Sequence, residues 1–110
     1  GSKLTSATPG ILNTVSISGT AKTTVDSFSI ASYRSAKYFV QITNATKYHV
    51  IELLLVHDNS TVFLTQYGEV FTSTSLGTFD AEITTGNLNL TFTPVLSLST
   101  VKVLRQNLGI

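Results

Sequence analysis

Hydrophobic and polar positions alternate along most of the chain. Tyr38, Val40 and Ile42 fall on one side of a two-residue period, with Gln41 and Thr43 on the other, the pattern of a half-buried strand. Val15 and Ile17 predict a short first strand ended by Gly19, and Val25, Phe28 and Ile30 a second with one slip in register. "KYHVIELLLVH" (47–57) and "TVFLTQY" (61–67) are two more, separated by Asp58-Asn59-Ser60, a tight-hairpin signal because Asn tolerates positive φ. "TFDAEIT" (78–84) alternates cleanly, and "TGN" (85–87) marks another hairpin before Leu88, Leu90 and Phe92. Pro94 closes that strand, since it cannot donate to a ladder. "STVKVLR" (99–105) is the last, with Val101 and Val103 inward. No segment keeps a 3.6-residue period.

Short strands at spacings of about 8 to 12 residues predict an all-β fold, an antiparallel β-sandwich of seven or eight strands. It is immunoglobulin-like or jelly-roll-like, without the Cys and Trp marks of true immunoglobulin domains. The expected core is Tyr38, Val40, Ile42, Ile51, Leu53, Leu55, Phe79, Ala81, Ile83, Leu88, Leu90, Phe92, Val101 and Val103. Gly1-Ser2 has the look of a scar left by tag cleavage. Residues 3–20, rich in Ser and Thr, read as a linker or edge strand, and residues 21–110 as the sandwich domain.

Composition narrows the function classes. The 110 residues suit one domain, and only 12% are charged, against roughly 25% in ordinary soluble chains. Ser and Thr fill the gap, and Thr favours exposed sheet. Net charge is +1, with seven basic residues scattered from Lys3 to Arg105, so no nucleic acid partner is expected. The longest apolar run, "VIELLLV" (50–56), is interrupted by Glu52 and falls far short of a membrane span. Without cysteine no disulfide can form, which suits assembly in a reducing cytosol.

Candidate chemistry is sparse. His49 and His57 share one face of a strand but lie about 26 Å apart at about 3.3 Å per residue, beyond shared coordination. His49 and Glu52 face opposite sides, so no metal site and no cofactor are expected. His57, beside Asp58 at the hairpin end, is expected to fix the turn. Asp80 and Glu82 face the same way and could form a carboxylate pair, but alternating acids more often form a solvated strand face. No G-x-S-x-G turn accompanies the serines, and no enzyme is expected. "NAT" (44–46), "NST" (59–61) and "NLT" (89–91) match the glycosylation acceptor pattern, which chance supplies in so Ser/Thr-rich a chain. Tyr33, Tyr48 and Tyr67 are candidates for stacking on a sugar. On the 47–57 strand, Ile51, Leu53 and Leu55 form one apolar face. Val50, Leu54 and Val56 make the opposite face mostly apolar too, with Phe63 extending it if Val62 and Leu64 face the core. Such patches mark contact sites, unless the N-terminal segment with Ile11 and Leu12 folds over this one.

"TVDSFSIASYRSAKYFVQIT", "YHVIELLLVHDNSTVFLTQYGEVFT", "LGTFDAEITTGNLNLTFTP" and "STVKVLRQNLGI", in that order from about Thr24 to Ile110, resemble a module in virion structural proteins of tailed phages. The chain is similar to modules within large tail, fibre or neck proteins of contractile-tailed phages of marine cyanobacteria. That resemblance implies a non-enzymatic part of a virion, assembled in the host bacterial cytoplasm, whose partners are other virion proteins or copies of itself. It brings no catalytic residues. The rival readings are a carbohydrate- or receptor-binding domain of a phage fibre, and an immunoglobulin-like repeat of a bacterial surface adhesin. Two turns depart from the family pattern: Asn59 stands for a Gly, and Thr85-Gly86-Asn87 for Gly-Gly-Asn. Both replacements keep a residue tolerant of positive φ, so the turns are expected to survive. Arg34 and Lys37 read as the polar flank where a strand begins, with Tyr38 opening its core face.

Overall fold

The structure, a computed structural model, describes residues 10–110. Eight strands follow one another: β1 (Ile11–Ile17), β2 (Thr23–Ser29), β3 (Tyr33–Asn44), β4 (Lys47–His57), β5 (Val62–Phe71), β6 (Gly77–Thr84), β7 (Asn87–Pro94) and β8 (Ser99–Gly109). They form a five-stranded sheet in the order β1-β8-β3-β4-β5 and a three-stranded sheet in the order β2-β7-β6. All pairings are antiparallel, and the molecule is the expected β-sandwich. In an immunoglobulin domain the first two strands are neighbours. Here β1 pairs with β8 and β2 lies in the other sheet. β8 returns beside β3 after β6 and β7 have been laid down in the other sheet, so β8-β3-β4-β5 has the spatial order of a Greek key, as most β-sandwiches do.

The core lies between the sheets, where each strand sends alternate residues. Ala36, Tyr38, Val40 and Ile42 of β3 meet Ile51, Leu53 and Leu55 of β4 and Val101 and Val103 of β8. Leu88, Leu90 and Phe92 of β7 close it from the small sheet. Phe79, Ala81 and Ile83 were expected there but are only partly buried, because β6 is an edge strand that the core covers on one flank. Ile17, Val25, Phe28 and Leu76 complete the core instead. The register slip in β2 is a β-bulge between Thr24 and Asp26, where an extra residue turns two consecutive side chains the same way. Val25 and Asp26 are accordingly both buried.

Asp26 is thereby committed to a polar link between the layers. Its Oδ2 accepts from Arg105 of β8 at 2.8 Å and from the Tyr38 hydroxyl of β3 at 2.8 Å. Arg105 also donates to the Ser27 carbonyl at 2.7 Å and to Asn107 Oδ1 at 2.7 Å, and its guanidinium lies 5.4 Å from the Phe28 ring centre. Burial, reinforced by the Asp26 carboxylate, pushes the Tyr38 phenol far above its ordinary pKa.

The turns explain the strand order locally. Asp58 Oδ1 accepts from the amides of Ser60 (3.1 Å) and Thr61 (2.7 Å), and these bonds hold its carboxyl below the usual range. Asn59 adopts φ 81° as expected. At the β6–β7 hairpin Gly86 has φ 78°, but Thr85 before it is also left-handed at φ 50°. The turn survives as expected, with Gly86 as the tolerant residue it keeps, but a β-branched residue at Thr85 is strained there. The β3–β4 hairpin closes through Ala45-Thr46, with Ala45 at φ 54°.

Candidate functional site: the outer face of the large sheet

The alternation that fills the core also decides what the sheets show outside. On the small sheet the outer side is polar, with Ser27, Thr78, Asp80, Glu82, Thr84 and Thr93 all exposed. The large sheet is different, and cross-strand register builds its outer face row by row. At one end Leu108, Ser35, Val56 and Phe63 run side by side across β8, β3, β4 and β5. The next row is Gln106, Lys37, Leu54 and Thr65, and then Leu12, Leu104, Phe39 and Glu52. Lys102, Gln41, Val50 and Val70 form a fourth. Beyond it Tyr48 lies opposite Thr43.

Of the four residues singled out in the sequence, Leu54 is 47%, Val56 43% and Phe63 55% exposed, while Val50 is half-buried. Val62 and Leu64 pack against the core, which turns Phe63 outward. The structure adds Phe39 (48%), Val70 (72%) and Leu108 (73%) to the same face. Phe39 was legible in principle: it is the one bulky apolar residue among the outward positions of an alternating strand. Leu54, Leu55, Val56, Phe63, Leu64, Thr65 and Ser35 line a hollow of about 400 Å³. A second hollow continues it over β3 to Leu108 and Asn107 of β8. Few charges interrupt the face: Lys37 lies 3.7 Å from Glu52, and the Tyr67 hydroxyl donates to Glu52 Oε2 at 3.2 Å. Ile11 and Leu12 do not fold over the patch. They belong to β1, which adds to the sheet edge beside β8 and is separated from β4 by both β8 and β3.

The other candidates are dispersed. Tyr33 turns toward the core and meets Phe28 edge-on at 6.1 Å. Tyr48 and Tyr67 are both exposed on the outer face, but Tyr67 reaches Glu52, four residues along β4 from Tyr48. The three tyrosines therefore form no common platform. Asp80 bonds the amide of Ala81, and Glu82 forms an exposed ion pair with Lys22 at 3.3 Å. Both histidines point inward and are buried. His49 Nε2 meets Glu69 Oε2 at 2.6 Å while its Nδ1 accepts from the Leu76 amide at 3.1 Å. Donation from Nε2 satisfies both contacts. His57 does the same for the hairpin, donating from Nε2 to the Tyr33 carbonyl at 2.7 Å and accepting the Asn59 amide on Nδ1 at 3.0 Å. Arg34 donates to the His57 carbonyl at 3.0 Å and to Asn59 Oδ1 at 3.1 Å, so the polar flank of β3 clamps the β4–β5 hairpin. Among the described residues no group of three His, Cys, Asp or Glu side chains could hold a metal ion.

No protein-family model matches the chain, and no curated protein does. Among solved structures it is similar to the tailspike protein of Acinetobacter phage vB_ApiP_P1, with a TM-score of 0.60 and 14% sequence identity over 90% of this chain and 22% of that one. The tailspike of Acinetobacter baumannii phage AM24 aligns with a TM-score of 0.47 and 11% identity, over 91% of this chain and 26% of the other. The first of these belongs to a phage of Acinetobacter, not of a cyanobacterium. At 14% identity that likeness is one of fold. The chain spans about a fifth of the length of the first tailspike, and its fold is one that occurs within a phage tail protein.

Proposed function

We propose that the chain is a non-enzymatic structural module of a phage tail, fibre or neck protein, acting through protein–protein contact in the virion. The apolar outer face of the large sheet carries this reading. A sandwich strand normally turns polar residues outward, and the small sheet does so, whereas β4 and its neighbours present Leu54, Val56, Phe39 and Phe63. The fold likeness to a tailspike supports the virion context, while cyanobacterial phages are suggested by the sequence resemblance alone. Val50, Leu54, Val56 and Phe63 are the contact residues, and the assembled virion is the destination. The test is mass spectrometry of purified particles of the phage whose genome encodes the chain, with immunogold labelling to place it. A chain found at the tail supports the reading; a chain absent from particles overturns it. Exposed Tyr48 and Tyr67 sustain glycan recognition as a second reading. Reproducible glycan-array binding that is lost in Tyr48→Ala or Tyr67→Ala would establish it instead.

A further inference from the structure

We propose that the outer face of the large sheet packs against the same face of another copy of this chain. This rests on the reading above that the face is a contact surface, and goes beyond it by naming the partner. Area comes first. Leu12 (69%), Phe39, Leu54, Phe63, Val70 and Leu108 are each about half to three-quarters exposed. With roughly 150–200 Å² per large side chain they present roughly 600 Å², and Val56 and Tyr67 bring this to roughly 800 Å². That exceeds the few hundred Å² usual for a patch on a monomer and matches the roughly 800 Å² per partner of a stable interface.

Shape and charge then select the occupant. Contact between copies about a two-fold axis needs knobs and hollows on one and the same surface. Here Phe63 and Leu108 project beside the hollow lined by Leu54, Val56 and Leu64, and its extension reaches Leu108 itself. The charges at this end of the face cancel internally, because Lys37 and Glu52 face each other at 3.7 Å. Lys102 lies in the row of Val50 and Val70, away from the Phe63–Leu108 end. About a two-fold axis that sets the Lys102 row of one copy against the Phe63–Leu108 row of the other, the copies meet without burying like charges against each other. A strongly charged partner would find nothing here to neutralise it.

The chain has no cysteine, so single thiols report cleanly. Leu54→Cys treated with a short bismaleimide is expected to cross-link to itself, and Ser27→Cys, exposed on the polar face of the small sheet, is not. Light scattering of the unaltered chain at tens of micromolar should give a multiple of the monomer mass. Leu54→Glu should weaken association at least tenfold with its circular dichroism unchanged and, at concentrations where both chains are monomeric, its melting midpoint unchanged; Phe63→Ser should do the same should Leu54→Glu fail to fold. A monomeric unaltered chain, equal cross-linking of both thiol variants, or an oligomer indifferent to both outer-face substitutions would overturn the proposal. An oligomer that forms only once residues 1–9 are removed would overturn it too, making that segment the occupant. The two readings also separate. If the chain alone is monomeric but Leu54→Glu abolishes its incorporation into particles, the contact face stands and the partner is a different virion protein. If incorporation is also unaffected, the contact role of the face falls as well.

Discussion

Thr85 occupies the one hairpin position where its β-branched side chain works against the backbone, at φ 50°. A non-glycine residue held in that region costs on the order of 1–3 kcal/mol. Thr85→Asn keeps a side chain but tolerates the left-handed region better, and is expected to raise stability by about 1 kcal/mol, read from the urea midpoint at constant slope. A lowered midpoint would show that Thr85 is held by something other than its turn. Tyr38 sets a pH limit. Because its phenol is pushed up in the folded state, the fold favours the protonated ring. Its contribution is complete below the ordinary tyrosine value of about 10 and falls as pH rises above it. Tyr38 should ionise only as the sheets come apart, so part of the phenolate absorbance should appear together with the loss of circular dichroism. Phenolate signal that is complete while the fold persists would contradict this. Neither property was legible in the sequence. The φ of Thr85 follows from a two-residue loop that pairing imposes, and the Tyr38 environment depends on a bulge in β2 that turns Asp26 inward.

At the scale of the strand, burial on alternate positions makes the consequences of substitution directional. Leu53 is fully buried in the middle of β4, and Leu53→Ala should cost roughly 2–5 kcal/mol. Leu54 beside it points outward, so Leu54→Ala should leave the unfolding midpoint of the isolated monomer almost unmoved. Equal effects at both positions, measured by urea unfolding at low protein concentration, would invert the faces assigned to β4. The faces of β3, β4, β7 and β8 could be read from period two because each of these strands has one side pressed against the core. β6 shows where that reading stops. Its alternation is as clean as any, yet Phe79, Ala81 and Ile83 remain partly exposed, since periodicity reports which side faces inward and not how far the opposite sheet extends. The β4–β5 turn was legible in Asp58-Asn59-Ser60 because its side chains bond their own backbone. The β3–β4 turn was not, because Ala45 and Thr46 carry no such preference and the register of the long flanking strands dictates their geometry.

The whole molecule depends on pairings that no local pattern announces. Alternate residues within "VIELLLV", with Phe63 beyond it, suggested an outward apolar surface, but its extent over β3 and β8 appeared only once Leu108 was placed in the row of Val56 and Phe63 and Phe39 two rows further on. That placement follows from β8 lying between β1 and β3, a contact between the two ends of the chain. The same topology makes the first and last strands unequal. β1 pairs only with β8; most of it is exposed, and its anchors are buried Ile17 and a bond from Asn13 Nδ2 to the Val25 carbonyl at 2.8 Å. Deleting residues 1–17 removes roughly 1.5–3 kcal/mol of side-chain burial at Ile17 and about 1 kcal/mol for the hydrogen bond. A chain so shortened is expected to fold with a lower midpoint. Deleting residues 99–110 instead takes a strand from inside the sheet. It loses the fully buried Val101 and Val103, at roughly 1.5–3 kcal/mol each. It also leaves Asp26 buried without Arg105, for about 3–5 kcal/mol more. That sum is comparable with the whole stability of an ordinary domain, about 5–15 kcal/mol, before any loss of β3 ladder bonds. The chain without β8 should therefore show no cooperative transition in urea by circular dichroism, while the chain without β1 shows one. A cooperative transition in the first would mean that the β3–β4–β5 hairpins hold the fold by themselves and that the return of β8 is dispensable; none in the second would mean that the β1 edge is as essential as β8.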